Sequence, residues 1–421
     1  NKQRVDTLFT DWQDLWDRQD ADRDLVNLVG LAKLHDINDR EIKNSVYITL
    51  NDAAAFAWHV ETTLNSAIEQ VAVTSDNKRF DTKYVEDCTR AIFRAADKLL
   101  ALKDLWQFNQ FVDQQTCRRG RAAARCLCQI EDGEGTTDLL PYDTRYNVYA
   151  AGSKGYALSG YRTTRSKDQI VAEYPKVDVK GAKDLTVEDI WTPKRHELWV
   201  ESEAPIDEAN PFGYVPFVYY KVPMGSMLLD AETMKYQGDS IFFLVRNEME
   251  ELKRLVSIMQ SLNIKELDHA LQLKIPMANI DPNMAVKGVD DATKPGDVSV
   301  VPSEGGYQSM PIGELKAHAQ WLMQIIQSRL DDAMGRRFQN LGQPKTATEI
   351  VQIGQEQETI IMPRLGIRGL LKRDIALMAI KQIIAGAKAA KLSTVKIDGD
   401  DWDVGKLTGA YQLDFKYSFN D

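Results

Sequence analysis

Two helical repeats enclosing a turn-rich stretch constrain this chain more than any other feature. Over residues 239–262, Val245, Met249, Leu252, Val256 and Met259 recur at spacings of 4, 3, 4 and 3. That heptad seam favours packing against another helix. Over residues 314–334, Leu315, Ala319, Leu322, Ile326, Leu330 and Ala333 share one face of another helix. At 1.5 Å per residue the two run roughly 36 and 31 Å. Between them, the turns Asp281-Pro282-Asn283 and Lys294-Pro295-Gly296 punctuate strand candidates at 273–277 and 297–301. A long helix, a small β-rich head and a long helix back make a projecting stalk with a tip, a shape that an enzyme core rarely needs.

The flanking chain mixes both kinds of structure, so the fold class expected is α+β. Residues 1–29 carry Leu8, Trp12, Leu15 and Trp16 at helical spacing. A short strand over 45–50 leads to Asn51, an N-cap for a helix with Phe56, Val60 and Leu64 on one face. A long helical stretch covers 81–115. Residues 121–223 turn rich in Tyr, Val, Thr and Trp with Gly and Pro punctuation, and the strands predicted are 122–130, 156–162, 197–201 and 215–222. After the second helix, 335–345 is a polar loop with Arg336, Arg337 and Lys345 and no acidic residue. Thr346-Ala347-Thr348-Glu349 is a capping box and starts a helix running toward Ala390, with a kink expected at Pro363. Residues 392–421 read as a small β hairpin element ending in a strand over 411–419.

With 421 residues, 43% of them hydrophobic, the chain has enough apolar material for two or three domains. No run of 18 apolar residues marks a spanning helix, and the polar start from Asn1 carries no signal-peptide pattern. The expectation is a protein made in a cytoplasm, with no membrane contact. Lys and Arg number 52 against 62 Asp and Glu, a net charge of −10. A chain that clings to nucleic acid is usually basic, so any DNA here is handled loosely. Cys88, Cys117, Cys126 and Cys128 have neither a disulfide framework nor zinc-ligand spacing and read as small buried residues.

Local catalytic motifs are missing. Ala151-Gly152-Ser153-Lys154-Gly155 lacks phosphate-loop spacing, and there is no GxSxG elbow. His196-Glu197 begins like a zinc helix, but Val200 stands where the second His belongs. The acidic run Asp398-Gly399-Asp400-Asp401-Trp402-Asp403 lacks the Gly and Glu of a calcium loop and reads as a solvated turn. His35, His59, His196, His269 and His318 have no partner at ligand spacing. The expectation is therefore no enzyme, no cofactor and no metal. Two basic clusters remain. Arg118-Arg119-Gly120-Arg121 with Arg125 fits a helix C-terminus with Gly120 as its stop. Arg336-Arg337 is either a solvated turn or a mobile finger touching phosphate.

The order of these features resembles the portal, or head-to-tail connector, family of tailed phages. Tyr142-Asp143-Thr144-Arg145, the Lys154-Gly155-Tyr156 turn, Arg165-Ser166-Lys167-Asp168-Gln169-Ile170 and Glu173-Tyr174-Pro175 look like the family's wing β region. Asn210-Pro211-Phe212-Gly213-Tyr214-Val215-Pro216-Phe217 looks like the strand leading into its stem. Thr346-Ala347-Thr348-Glu349-Ile350 is similar to the helix start after its tunnel loop, with Leu365, Leu371 and Asp374 following in place. Ala376-Leu377 stand where the family often has proline, and its helical crown has no counterpart before Asp421.

The resemblance implies a wing at 1–238, a stem helix at 239–263, a clip at 264–313, a returning stem helix at 314–334, a tunnel loop at 335–346 and a wing helix with a β element at 347–421. It implies a homo-oligomeric ring, typically dodecameric, at one capsid vertex of a virion. Such a ring passes double-stranded DNA and docks the terminase large subunit, then a tail adaptor, among major capsid and scaffolding proteins. Arg336, Arg337, Gln339, Asn340 and Lys345 would touch DNA phosphates, and Asp281, Asn283, Lys287 and Lys294 would dock partners at the clip. Val245, Met249, Leu252 and Val256 would seal against a neighbour's Leu322 and Ile326. Another ring-forming joining protein and a soluble α+β enzyme with a site assembled from distant residues are the alternatives.

Overall fold

The computed structural model describes residues 1–421 other than 30–32, 36, 37, 39, 43, 44, 154, 175–183, 226–235, 268–270, 276–297, 303–305, 310–316, 335–346, 420 and 421. At 173, 265–267, 271–275, 298–302, 306–309, 317–319, 332, 333 and 347–358 it describes the backbone. The chain is α+β and divides into two units: Asn1–Val26, Ala55–Phe243 and Ala347–Asp421 form one, Asn27–Ala54 and Leu244–Thr346 the other.

The N-terminal helical stretch breaks at Trp12 into α1 (Lys2–Asp11) and α2 (Gln13–Val26). Trp12, Leu15 and Trp16 are buried, as their spacing predicts. α3 (Asp52–Asn65) begins directly after Asn51 and buries Phe56, Val60 and Leu64. The strand expected over 45–50 does not form: the segment has no regular secondary structure. β1 (Ile68–Thr74) follows, then α4 (Thr82–Leu102), whose N-cap Asp81 accepts a hydrogen bond from the Tyr84 N–H at 3.1 Å. The helical stretch expected over 81–115 consists of two helices, because the chain turns after Leu102, with Asp104 left-handed at φ +56°, before α5 (Phe108–Arg118). Gly120, at φ +67°, then redirects it into the strands.

Those strands are β2 (Arg121–Glu131), β3 (Glu134–Tyr142), β4 (Asn147–Gly152) and β5 (Gly155–Ser166). The short helix α6 (Lys167–Glu173) opens on a capping box between Ser166 and Gln169. β6 (Asp184–Trp191), β7 (Arg195–Val200), β8 (Glu203–Ala209) and β9 (Phe217–Lys221) complete the run. In the second unit come α7 (Arg246–Leu267), β10 (Leu271–Ile275), β11 (Val298–Pro302), β12 (Gly306–Ser309) and α8 (Ala317–Ala333). The chain returns to the first unit with α9 (Ala347–Ala390), β13 (Thr394–Ile397), β14 (Asp400–Asp403), α10 (Val404–Leu407) and β15 (Gln412–Ser418).

In the first unit one five-stranded sheet has the order β14-β13-β3-β2-β9 and a second the order β4-β5-β6-β7-β8. The main core lies where α4, α5 and the C-terminal part of α9 pack on the first sheet, around Ile92, Phe93, Cys126, Leu139, Leu371, Ile375 and Trp402. β1 and β15, more than 330 residues apart in the chain, pair antiparallel from Ile68–Ser418 to Thr74–Gln412. So the C-terminal strand is no part of a hairpin, although β13 and β14 do form one. A two-stranded ribbon is marginal alone and is stabilised here by the helices it packs on. The outer strand β8 carries Glu203, Asp207 and Glu208, charges that discourage edge-to-edge pairing.

α9 continues through Pro363, its 44 residues spanning about 66 Å. Its buried face is partly cationic: Arg364, Arg368 and Lys372, at i, i+4 and i+8, are each at most 3% exposed. Arg368 meets Asp113 at 2.6 Å, and Lys372 meets Glu69 at 2.6 and 2.8 Å. Breaking such a buried pair leaves an uncompensated charge and typically costs about 3–5 kcal/mol.

In the second unit, β10 is the centre of a three-stranded sheet, parallel to β11 and antiparallel to β12. The helix expected over 239–263 starts later, at Arg246, and the returning helix expected over 314–334 is Ala317–Ala333. Residues 27–54, assigned by sequence to the first domain, belong to the second unit.

Candidate functional site

The helix pair of the second unit is where the sequence points, and its burial can be read residue by residue. α7 and α8 pack on each other. Val245, Met249 and Leu252 are buried within the single chain, and Val256 is half-buried. On α8, Ile326 and Leu330 are buried, as is Met334 just past its end, at i, i+4 and i+8. Leu322 is not: it stands 39% exposed beside Trp321, which is 64% exposed. The seam expected to seal between subunits is therefore largely covered inside one chain. The apolar surface left open on α8 is one turn farther toward its N-terminus.

A second buried stripe on α7 is polar and was not anticipated. Lys253, Ser257 and Ser261 recur every four residues and are buried. Each serine hydroxyl donates to the carbonyl four residues back, Ser257 to Lys253 and Ser261 to Ser257, both at 2.7 Å. Ser257 Oγ also accepts the Ile48 N–H at 2.9 Å, and Ser261 Oγ the Val46 N–H at 2.8 Å. The match is metric: two residues of extended chain advance about 6.6 Å, four residues of helix about 6.0 Å. The segment that failed to find a strand partner thus satisfies its backbone on a helix. A pair of serines at i, i+4 flanking an apolar seam was the available signal.

The proposed phosphate-contacting residues Arg336, Arg337, Gln339, Asn340 and Lys345 lie outside the described residues. So do the clip residues Asp281, Asn283, Lys287 and Lys294, and the two turns at 281–283 and 294–296.

The other basic cluster is fully described and holds the first unit together. Arg118 forks onto Glu61 at 2.7 and 3.0 Å. Arg119 donates to the Gln19 carbonyl at 2.8 Å and meets Asp143 at 3.3 Å. Arg121 is wholly buried and donates to Tyr219 Oη at 2.9 Å and to the Gln237 carbonyl at 2.7 Å. Arg125 bridges Asp189 and Asp138 at 2.5 and 2.9 Å. Burial alone would raise the Asp189 carboxyl, but Arg125 and His196 outweigh it and hold it below the usual range. His196 lies between Asp189 (3.0 Å) and Glu208 (3.3 Å), its ring stacked 3.8 Å from Trp191. In the acidic run, Asp398 and Gly399 form the left-handed turn of the β13–β14 hairpin. Hydrogen bonds from Lys98 and Arg94 hold the Asp398 carboxyl low. All four cysteines are free and buried.

A cleft of about 680 Å³ is lined by aromatic side chains including Tyr156, Tyr214, Phe217, Tyr219 and Tyr220, together with Asp374. Its hydroxyls are already used. Tyr220 donates to Asp374, Tyr156 donates to the Tyr219 carbonyl at 3.0 Å, and Tyr214 Oη accepts from Gln382 at 3.2 Å. Among the described residues no group of three or more His, Cys, Asp or Glu is placed to hold a metal ion. No described helix is long and apolar enough to cross a membrane. Neither the protein-family models nor the curated proteins give a match to this chain.

Proposed function

We propose that this chain is the subunit of a tailed-phage portal, a homo-oligomeric ring that conducts double-stranded DNA through one capsid vertex. The observation carrying this reading is α8. Once Ile326, Leu330 and Met334 are buried within the chain, Trp321 and Leu322 still face solvent on a helix that leads back from a three-stranded head. An exposed apolar face on one of two paired helices calls for a further copy, and a head-to-tail contact that closes gives a ring. The net charge of −10 suits a wall that DNA slides past. The path for DNA, the terminase and adaptor contacts at the clip, and the role of Arg336 and Arg337 as a valve belong to the same proposal and rest on the family resemblance.

The test is electron microscopy of the purified chain with light-scattering mass, repeated with scaffolding and shell proteins present. Rings of about twelve copies with a central hole are expected under closed symmetry. A chain that stays monomeric even with those partners refutes the reading.

A further inference from the structure

The first unit carries an apolar knob and an apolar recess at opposite ends of one helix. The knob is the turn after α4. Leu102 is 85% exposed, Trp106 56% and Leu105 42%. This turn is held from several sides. The Leu105 N–H donates to the Leu100 carbonyl at 2.9 Å, Asp104 is left-handed, and the Phe108 N–H donates to Asp97 at 2.8 Å. Lys103 is neutralised by Asp138 at 2.7 Å. The knob therefore presents three large apolar side chains from a fixed backbone, with Asp104 as the charge left over.

The recess is at the other end of α4. Just before the N-cap Asp81, Phe80 stacks on Tyr411 with ring centroids 5.3 Å apart. Tyr411 lines a recess of about 270 Å³ with Leu377, Ile380, Ile384, Leu407 and Lys381. Lys381 is exposed and lies over the Tyr214 ring, so the rim is cationic. The 21 residues of α4 separate knob from recess by about 30 Å.

We infer that the knob of one copy, Leu102, Leu105 and Trp106, enters the recess of the next copy, with Asp104 meeting Lys381. The occupant is a second copy because the two surfaces are complementary in both respects. One is convex, apolar and net acidic; the other is concave, apolar and basic. Knob and recess are different surfaces, so in the ring reading each copy offers its knob to one neighbour and its recess to the other, a heterologous contact that closes into a ring. A tryptophan at the centre of such a contact is the residue expected to dominate it. The inference rests on the ring reading above and adds a named contact to it.

Two experiments separate the inference from that reading. Leu105→Cys combined with Leu377→Cys should give an intermolecular disulfide ladder under mild oxidation; the native cysteines, all buried, stay out of it. Trp106→Glu should weaken self-association at least about tenfold. So should Asp104→Lys and Lys381→Glu singly, with the double charge swap restoring assembly, a rescue that misfolding cannot imitate. Rings that form without the ladder and ignore Trp106→Glu overturn the knob contact and leave the ring reading standing. A wild-type chain that never self-associates and a double-cysteine chain that never cross-links overturn both.

Discussion

Gly120 gives the sharpest test of how the first unit is assembled. It links α5 to β2 at φ +67°, a region that costs a residue with a side chain roughly 1–2 kcal/mol. A Cβ built there would stand 2.0 Å from the Gly238 carbonyl oxygen and 2.4 Å from the Asp239 carbonyl carbon. Both are backbone atoms, so no side chain can swing aside. The chain must move by more than 1 Å to reach ordinary contact, which at the rate for overpacked sites adds about 1–3 kcal/mol or more. Gly120 also accepts the Val222 N–H at 2.9 Å, so the shift strains the β2–β9 edge. Gly120→Ala should therefore cost about 2–5 kcal/mol. Gly133→Ala is the control: φ is +86° but nothing lies within 4 Å, so it should cost only the left-handed penalty of about 1–2 kcal/mol. Urea unfolding followed by tryptophan fluorescence reads both, since seven of the eight tryptophans are in the first unit. Equal midpoint shifts for the two variants would refute the close backbone approach.

Three further outcomes are expected. Burial and the adjacent Arg121 push the Lys221 ammonium down to about 8. The folded chain thus releases this proton near pH 8 and the unfolded chain near about 10.4. Between about pH 8 and 10 the unfolded state binds more protons, so stability should rise with pH; a stability profile of Lys221→Met that keeps the same rise rejects that assignment. Replacing Ser257 and Ser261 together with Ala should speed amide exchange at Val46 and Ile48, at about 1 kcal/mol per lost hydrogen bond, and unchanged protection there would mean the serines do not hold the segment. Burial pushes the Cys88 thiol up to about 12, and all four cysteines are buried; a thiol reagent should label none of the four before unfolding, and rapid labelling of the native chain would contradict the core described.

The sequence by itself determined the α+β class, the helix–β–helix order of residues 246–333 and the faces of most helices. These are local, periodic signals: Phe56, Val60 and Leu64, or Met249 and Leu252, are buried because a 3.6-residue period puts them on one side whatever lies opposite. It also identified Gly120 as a stop and the four cysteines as core residues. What it missed depends on partners far away in the chain. The pairing of β1 with β15 joins Ile68 to Ser418, and no local pattern says which of two alternating segments will meet. The break at 103–107 hides inside a helical pattern because Asp104, not glycine, takes the left-handed turn. Arg364, Arg368 and Lys372 give no sign of burial in the sequence. They are buried because Asp113 and Glu69 come to meet two of them, and charge alone cannot reveal a partner hundreds of residues away. The open surface at Trp321 and Leu322 was likewise invisible in the heptad pattern. Periodicity fixes which side chains share a face, but only the tertiary structure decides which part of that face is already covered and which is left for another molecule.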